Sequence, residues 1–384
     1  MFSYDKTLVD ESQIGDVLLR HKHYSGYLDR LDILVPATVG KRQTEMKVSE
    51  KLTVYPGNGP KMLSWLRAYL KARRICREGK VDIVVTQDAL LGSLGVLLRK
   101  EFGCKLQINA FGLEIFSDWW LEQNLLHRMY KLVMCWTLHR ADLIRTDATR
   151  SKTALVEKLK IPPEKVVVIP VIPGPENIAK FTNADGSVVR RSLLDNKYDK
   201  VVLFTGVLEK IKNIPNLLRA AKLVLSVHSK TLFLLIGGGP ERSYLERLCR
   251  ELGIAEHVRF LGIIPYDELP SYFAACDVFV LSSWSEGFPR VLLEATFTTK
   301  PVVVTDVGGV NDIVADSESG YIVAVNNSKQ LAERIVELLS NPDKANRMGQ
   351  QGYDNTLKYH DFDTNVEKLV TAWKTMAEIN GGRQ

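Results

Sequence analysis

The sequence predicts an α/β protein made of two Rossmann-like domains, each a doubly wound parallel sheet, that face a central cleft. Three observations support this fold class. The chain has 384 residues, which is too long for one ordinary hydrophobic core. Short β-rich runs alternate with helical patterns in both halves, as in β-α-β units around a parallel sheet. Residues 170–177 contain three prolines and a glycine, which indicates a linker between the halves.

Residues 1–177 are predicted to form the first domain. Its β-rich runs are 31–35, 81–85, 105–108 and 143–146, and its helical patterns are 16–34, 60–79, 89–102 and 120–140. Met1–Ser3 is typical of the end of a further strand. The last segment, 363–384, begins with an amphipathic helix that is predicted to pack back on this domain.

Residues 178–362 are predicted to form the second domain. Its apolar strands are 201–205, 232–236, 258–260, 278–281 and 301–304, and its helices are 213–226, 241–252, 267–275, 289–297 and 328–339. Continuous apolar strands are typical of a sheet that helices cover on both faces. Asp142 and Asp277 each follow a helix end and precede such a strand. This short repeat favours two similar domains.

The composition is that of an ordinary globular protein, with 45% hydrophobic and 25% charged residues. No apolar run approaches the roughly 20 residues of a membrane span, and no basic segment leads into an apolar signal sequence. The five cysteines are scattered singly, which predicts reduced thiols, a cytoplasmic location and no structural zinc. The histidines show no ligand spacing, so no metal is expected.

The net charge of +6 is uneven along the chain. Residues 1–180 contain 28 Lys and Arg against 20 Asp and Glu, whereas the rest contains 23 against 25. The basic excess of the first half predicts an anionic partner, and the densest cluster is the helix 61–80. One interpretation is a face for an anionic membrane or acceptor. The other is a solvated helix that packs through its stripe of Leu63, Leu66 and Leu70.

The most informative stretch is 282–295, which follows the strand 278–281. Proline is favoured at the first position of a helix, so Pro289 predicts a helix start there. Glu286 then lies at the helix mouth and Glu294 lies about 7.5 Å along its axis. The free N–H groups of a first helical turn attract anions such as a diphosphate. Two carboxylates beside that anion site suit the hydroxyls of a nucleotide sugar. The alternative is a solvated loop acid together with an acid that the helix dipole favours in the first half of a helix.

Three glycine loops follow other predicted strands. Gly206 through Lys212 predicts a phosphate site, because glycine admits backbone N–H groups and lysine reaches phosphate oxygens. The alternative is an ordinary turn with a solvated lysine. Gly237–Gly239 lacks the spacing of a dinucleotide fingerprint, which favours close strand–helix packing over NAD binding. Gly308 and Gly309 indicate only that the backbone turns tightly there or comes close to another group.

The pattern Ser283-x-x-Glu286-Gly287-x-Pro289-x-x-x-x-Glu294-Ala resembles the signature of the family-4 retaining glycosyltransferases, which share the two-domain GT-B fold. Further segments resemble family motifs in the same order along the chain: Gly206 to Asn213, Gly237 to Glu241, Val258 to Gly262 and Pro301 to Val310. The resemblance covers about residues 140–380 and is looser before them.

The resemblance implies a role for each matching residue. Lys212 would bind the donor diphosphate, Glu286 the donor sugar hydroxyls and Glu294 the ribose hydroxyls. Gly287 and Phe288 would present backbone N–H groups to the donor. The residues implied to bind the donor are Gly15, Gly206, Lys210, Lys212, Gly262, Glu286, Gly287, Phe288, Pro289 and Glu294. Those implied to act in catalysis are Glu286, Lys212 and Glu114.

Two positions depart from the family pattern. An arginine of the family's donor loop is Val207 here, and Lys210 is a candidate substitute. A frequent active-site histidine is Phe111 here, three residues before Glu114. The resemblance implies transfer of a hexose-type sugar from a UDP- or GDP-sugar to a glycan or lipid-linked acceptor in cell-surface polysaccharide biosynthesis, with no cofactor and no nucleic acid. The alternatives are a sugar-nucleotide epimerase or hydrolase, and a catalytically impaired paralogue.

Overall fold

The computed structural model describes residues 1–9, 16–36, 44–111, 116, 121–122 and 124–381. They form two compact units. Unit 1 comprises Met1–Pro170 and the segment from Phe362 onward, and unit 2 comprises Val171–Asp361. The division falls at Pro170, whereas the sequence interpretation placed it at residue 177.

Unit 1 is an α/β unit around a mainly parallel sheet. Its strands are β1 Leu31–Val35, β2 Met46–Lys47, β3 Leu52–Pro56, β4 Ile83–Thr86, β5 Lys105–Asn109, β6 Leu143–Thr146 and β7 Val166–Val168. Its helices are α1 Asp16–Gly26, α2 Lys61–Glu78, α3 Gly92–Phe102, α4 Leu125–Leu138, α5 Thr149–Leu159 and, at the end of the chain, α14 Phe362–Gly381.

The strands of unit 1 form two ladders, β1-β3-β2 and β4-β5-β6-β7, and only β2 is antiparallel to its neighbour. Phe2 joins them, because it makes parallel bridges to both Leu34 of β1 and Thr86 of β4. Its N–H donates to the Val85 carbonyl at 2.8 Å. Met1–Ser3 therefore occupies the position of a central strand, as its sequence predicts.

Unit 2 has a fully parallel six-stranded sheet. Its strands are β8 Lys200–Thr205, β9 Thr231–Ile236, β10 Val258–Gly262, β11 Val278–Leu281, β12 Val302–Thr305 and β13 Tyr321–Val323. Its helices are α6 Pro175–Thr182, α7 Ser187–Leu194, α8 Ile214–Leu225, α9 Arg242–Leu252, α10 Leu269–Ala275, α11 Arg290–Phe297, α12 Ser328–Ser340 and α13 Pro342–Tyr359. The sheet order is β10-β9-β8-β11-β12-β13. Strands β8, β9, β11 and β12 are almost fully buried, as helices on both faces require, whereas β10 is mostly half-buried.

The predicted strands are all present, but several helices differ from the sequence prediction. The pattern at 16–34 ends as a helix at Gly26, because Leu31–Val35 is a strand in the sheet. Helix α13 was not predicted, since Gly349 and Gly352 disfavour a helix locally. A Cβ at Gly349 would lie 2.0 Å from the Thr299 carbonyl oxygen, so glycine allows α13 to pack closely there. The sequence analysis also did not predict helices α5, α6 and α7 or strands β2, β3, β7 and β13.

The repeated aspartates have the same structural role in the two units. Asp142 accepts two hydrogen bonds from Arg99 at 2.8 Å and one from the Leu106 N–H at 2.9 Å. Asp277 accepts from Arg190 and, at 2.7 Å, from the Val201 N–H. Each acid thus joins the start of its own strand to the start of a neighbouring strand.

Helix α14 packs on the sheet of unit 1. The Trp373 indole N–H donates to Oε1 of Gln107 in β5 at 2.7 Å, and the side-chain amide of Gln107 donates to Asn109. The Trp373 ring also meets Tyr24 of α1 edge-on. These contacts place the C-terminal helix in unit 1.

The leucine stripe of α2 does not pack against the core. Leu63, Leu66 and Leu70 are 40–52% exposed, whereas Ser64 and Ala68 of the same helix are buried. Small residues let the helix lie close to the sheet, and the leucines consequently face outward among the basic residues. The interpretation of a helix packed by its leucines is therefore wrong.

The cysteines are free thiols, three of them buried. Burial raises the pKa of the Cys276 thiol to about 12, so this group is protonated and apolar at neutral pH. In the described part of the chain, no helix is long and apolar enough to cross a membrane.

Candidate active site

The candidate site lies at the carboxyl ends of the parallel strands of unit 2. The chain runs from β8 outward through β9 and β10, and then crosses to the other side of β8 to form β11, β12 and β13. Connections that leave adjacent strands in opposite directions open a crevice at this switch point, where ligands of open α/β sheets bind. Loops 206–212 and 282–289 follow β8 and β11, so both flank the crevice.

Lys212 and Glu286 meet across this switch point. The Lys212 ammonium donates to Oε1 of Glu286 at 2.7 Å, and the Ser283 hydroxyl donates to the same oxygen at 2.5 Å. Ser283 is fully buried, and its carbonyl accepts from the Thr305 hydroxyl at 2.7 Å. The carboxylate is therefore fixed by a serine that is itself anchored, while the lysine remains partly exposed.

Glu294 lies in α11, which begins one residue later than predicted. Pro289 occupies the position before the helix, with ψ near 90°, and Arg290 is the first helical residue. The Glu294 side chain is nearly buried, and the Tyr266 hydroxyl donates to its Oε1 at 3.2 Å. A carboxylate in this setting can accept hydrogen bonds from ligand hydroxyls.

Gly308 and Gly309 support the Glu286 loop. The Gly309 N–H donates to the Gly287 carbonyl at 2.6 Å. Gly308 has φ +51°, and a Cβ there would lie 2.0 Å from the Glu286 carbonyl oxygen. Only glycine permits both the backbone conformation and this close approach. The paired glycines thus position the backbone that carries Glu286.

Glycines at or just after the ends of β8, β9 and β10 also pack on one another. The Gly237 N–H donates to the Gly262 carbonyl at 2.8 Å, and a Cβ at Gly237 would lie 1.9 Å from the Gly206 carbonyl oxygen. A Cβ at Gly239 would lie 2.5 Å from the Leu208 carbonyl oxygen. The expected strand–helix packing of Gly237–Gly239 is therefore wrong, because these glycines allow two loops to touch.

Sequence reasoning missed a cluster of polar residues beside Lys212. Oδ1 of Asn326 accepts from the Asn213 amide at 3.0 Å and from the Trp284 indole at 2.7 Å. The buried Ser282 hydroxyl donates to the Lys212 and Asn213 carbonyls. Asn213 directly follows the predicted site residue Lys212, so its position in the sequence could have indicated that it lies near the site. Asn326 lies 113 residues from Asn213, so no local pattern could have linked the two.

The remaining predicted site residues are placed as follows. Lys210 lies in a short 3-10 helix with its side chain exposed, and Val207 is also exposed. Phe288 packs edge-on against His360. In unit 1, Phe111 lies near Arg145, with the guanidinium carbon 5.5 Å from the ring centre. Gly15 and Glu114 lie outside the described residues.

The parallel sheet, the switch-point crevice and its Lys–Glu pair define a nucleotide-binding type of α/β unit. Two family models match the chain, Glycosyl transferase 4-like domain over residues 30–171 and Glycosyl transferases group 1 over residues 187–355. The chain belongs to the family-4 glycosyltransferases of the GT-B fold.

Curated relatives support this assignment. The chain is 33% identical over 222 residues to a D-inositol 3-phosphate glycosyltransferase from Corynebacterium urealyticum, an alignment that covers 55% of this chain and 52% of the relative. It is 28% identical over 324 residues to the enzyme of that name from Acidothermus cellulolyticus, covering 82% and 71%. For the Corynebacterium urealyticum relative, the chain spans about half of the relative's length.

Solved structures show the same fold. Sucrose-phosphate synthase from Thermosynechococcus elongatus superposes with a TM-score of 0.82 at 20% identity, covering 98% of both chains. HepE from Anabaena, in complex with UDP, superposes with a TM-score of 0.73 at 19% identity and covers 97% of this chain and 99% of its own.

Proposed function

We propose that the protein is a retaining glycosyltransferase that moves a hexose-type sugar from a UDP- or GDP-sugar to a glycan or lipid-linked acceptor. The observation that carries the proposal is the contact between Lys212 and Glu286 at the switch point of unit 2. A cation and a carboxylate fixed side by side match the two chemistries of a nucleotide sugar, its diphosphate and its hydroxyls. Family membership supports the same reaction class.

Each residue of the proposed donor site has one function. Lys212 binds the diphosphate, with Lys210 as a second cation, and Gly206 lets the backbone approach the phosphates. Glu286 accepts hydrogen bonds from the donor sugar, and Glu294 accepts from the ribose. The backbone N–H groups of 287 and 288, with Pro289 behind them, face the donor, and Gly262 lies at the nucleobase end. HepE, a protein of this fold, has structures with UDP and with UDP-glucose.

The proposed reaction needs positioning and charge stabilisation more than a protein nucleophile. The bond between the anomeric carbon and the phosphate oxygen breaks, and the acceptor oxygen bonds to the same face of that carbon. The leaving phosphate takes the acceptor proton. Lys212 stabilises the negative charge that develops on the diphosphate, and Glu286 orients the sugar. Glu114 is proposed to act in catalysis and Gly15 in donor binding, as the family resemblance implies for each.

The acceptor is proposed to be anionic or lipid-linked, at the cytoplasmic face of the membrane and in cell-surface polysaccharide assembly. The support is the basic excess of unit 1 and the outward leucines of α2. In α2, Arg73 pairs with Glu101 and Arg74 pairs with Glu78. If α2 touches an anionic membrane, reversing both charges with Arg73→Glu and Arg74→Glu weakens vesicle binding. Unchanged binding would exclude this role for α2.

A catalytically impaired nucleotide-sugar-binding protein is a second candidate. The observation that favours it is Val207, an exposed apolar side chain where the family has a diphosphate-binding arginine. An epimerase or hydrolase of the same fold is a third.

One assay separates the three candidates. The protein is incubated with UDP- and GDP-sugars, with and without a cell-envelope lipid extract, and nucleotide release is measured. D-inositol 3-phosphate is added as a soluble acceptor, because it appears in the names of several relatives. Acceptor-dependent release supports the transferase. Acceptor-independent turnover indicates an epimerase or hydrolase, and binding without turnover indicates the impaired protein.

A further inference from the structure

Helix α4, Leu125–Leu138, is apolar on two opposite faces. Its inner face is buried in unit 1, where Thr137 and Leu138 are inaccessible and the Thr137 hydroxyl donates to the Ala89 carbonyl at 2.6 Å. A surface helix with one buried face ordinarily has polar residues on the other. The outer face of α4 does not follow this rule.

The outer face carries four large apolar side chains in one stripe. Leu125, Met129, Leu132 and Trp136 are 73%, 58%, 72% and 43% exposed. Their spacing of four, three and four residues places them on one side of the helix, opposite the buried residues. Helices that are apolar all round are usually covered on both faces. The stripe is therefore suited to contact with another apolar phase.

The charges around the stripe indicate which apolar phase it contacts. Residues 124–140 contain three Lys and Arg, two His and no acid. Arg128 and Lys131 lie to one side, where they line a shallow groove of about 420 Å³ together with Leu121, Glu122 and Leu132. At the other end, the Arg140 guanidinium stacks on the Trp136 ring at 4.4 Å. Cations beside an apolar stripe, with an aromatic ring at its end, are typical of helices that lie in an anionic membrane interface.

A second copy of the chain fits this surface less well. Two copies that met through their α4 stripes would bring Arg128 and Lys131 of each copy near those of the other. Among the described residues that line the adjacent groove, Glu122 is the only acid. Like charges at such a contact oppose association, whereas lipid phosphates neutralise them.

We propose that α4 lies in the plane of an anionic phospholipid bilayer, with Leu125, Met129, Leu132 and Trp136 inserted between the acyl chains. Arg128 and Lys131 bind lipid phosphates beside them. The neighbouring helix α3 packs against α4 and also carries an exposed apolar residue, Leu97. This inference rests on the membrane contact that we propose for unit 1, and it assigns the inserted element to α4 rather than to the basic helix α2.

The test measures binding to vesicles of phosphatidylcholine with about one third phosphatidylglycerol, a content that gives an anionic surface. The variant Leu125→Gln/Leu132→Gln is expected to lower the partition constant by about tenfold or more, because two apolar side chains no longer enter the bilayer. The matched control is Leu223→Gln/Leu357→Gln, two exposed leucines of unit 2, which is expected to bind as the native chain does.

Insertion is tested separately from surface attraction by fluorescence quenching with lipids that carry brominated acyl chains. The tryptophan fluorescence of the native chain is expected to be quenched by these lipids. Trp136→Phe is expected to remove most of that quenching while vesicle binding persists. Quenching that survives Trp136→Phe overturns the proposal, and so does native vesicle binding by Leu125→Gln/Leu132→Gln.

Other outcomes distinguish this inference from the proposed function. Vesicle binding that depends on Arg73 and Arg74 of α2 but not on α4 overturns the inference. The proposed membrane contact of unit 1 would still be supported. No vesicle binding by the native chain overturns both. A dimer in solution that Leu125→Gln/Leu132→Gln dissociates, without vesicle binding, assigns the stripe to a second copy. UDP-glucose binding, measured by calorimetry, reports on the donor site alone and is expected to be the same in native and variant chains.

Discussion

The Lys212 ammonium lies 2.7 Å from Oε1 of Glu286, although the two residues are 74 positions apart in the chain. In the proposed donor complex, the diphosphate competes with Glu286 for the lysine, and the sugar hydroxyls replace the lysine as donors to the carboxylate. The pair thus holds both groups in place before the donor arrives, which reduces the reorganisation that binding requires.

Replacing Glu286 with alanine is expected to abolish transfer while leaving the fold intact. Loss of the sugar contact in the transition state lowers kcat/KM by about 100- to 1,000-fold. Nucleotide release in the presence of acceptor measures this, and circular dichroism checks the fold. Glu251→Ala, which removes an exposed acid of α9, is the control. Near-normal turnover of Glu286→Ala would exclude the assigned role.

Lys212→Met is expected to raise the Kd for UDP by about tenfold or more, because a charge-assisted hydrogen bond to phosphate is lost. Lys210→Met is expected to raise it by only about threefold, since an exposed lysine gains little from one contact. Calorimetric titration with UDP measures both values. Equal effects of the two substitutions would show that Lys212 has no special position at the diphosphate.

Val207→Arg is expected to tighten UDP binding by about tenfold, because a guanidinium can bind phosphate oxygens in a bidentate manner. The side chain at 207 is exposed, so the larger residue needs no repacking. Val207→Gln, which adds length without charge, is the control. If the arginine variant binds UDP no better than the glutamine variant, position 207 does not face the diphosphate.

Gly308→Ala is expected to destabilise unit 2 by at least about 3 kcal/mol, because its Cβ collides with the Glu286 backbone. Gly253→Ala is the matched control. It also has positive φ, but its Cβ meets nothing within 4 Å. Its expected cost is only the backbone strain of about 1 kcal/mol. Urea unfolding measures both, and similar costs would mean that the loop moves aside without penalty.

The stability of unit 1 is expected to fall as the pH falls below about 6.5. Burial, together with the nearby Arg20 cation, lowers the pKa of His21 from 6.5 to about 4. Between these values the unfolded chain binds a proton that the folded chain does not. The free energy of unfolding therefore falls by about 1.4 kcal/mol per pH unit as pH decreases, and levels off below about pH 4.

Urea unfolding at a series of pH values tests this dependence. His21→Gln is expected to remove the slope, whatever its effect on stability at neutral pH. His228→Gln, on the surface of unit 2, is expected to keep it. A His21→Gln chain with the native slope would assign the pH dependence to other groups.

Much of the fold followed from local patterns. Buried parallel strands are continuous apolar runs, so β8, β9, β11 and β12 were predictable without any tertiary information. Edge strands and polar helices carry weaker signals, and β13 and α5 were missed for this reason. The repeated Asp142 and Asp277 were visible because each lies beside a strand that it anchors.

By itself, the sequence determined most strands of the two sheets, together with the loops and the helix start that carry the proposed donor-site residues Gly206, Lys212, Glu286 and Glu294. These features are local, because a strand, a glycine turn and a helix start each depend on a few neighbouring residues. Only the tertiary structure decided which of them meet. Lys212 touches Glu286 because β8 and β11 are neighbours in the sheet, and the leucines of α2 face outward because smaller residues pack closer to the core.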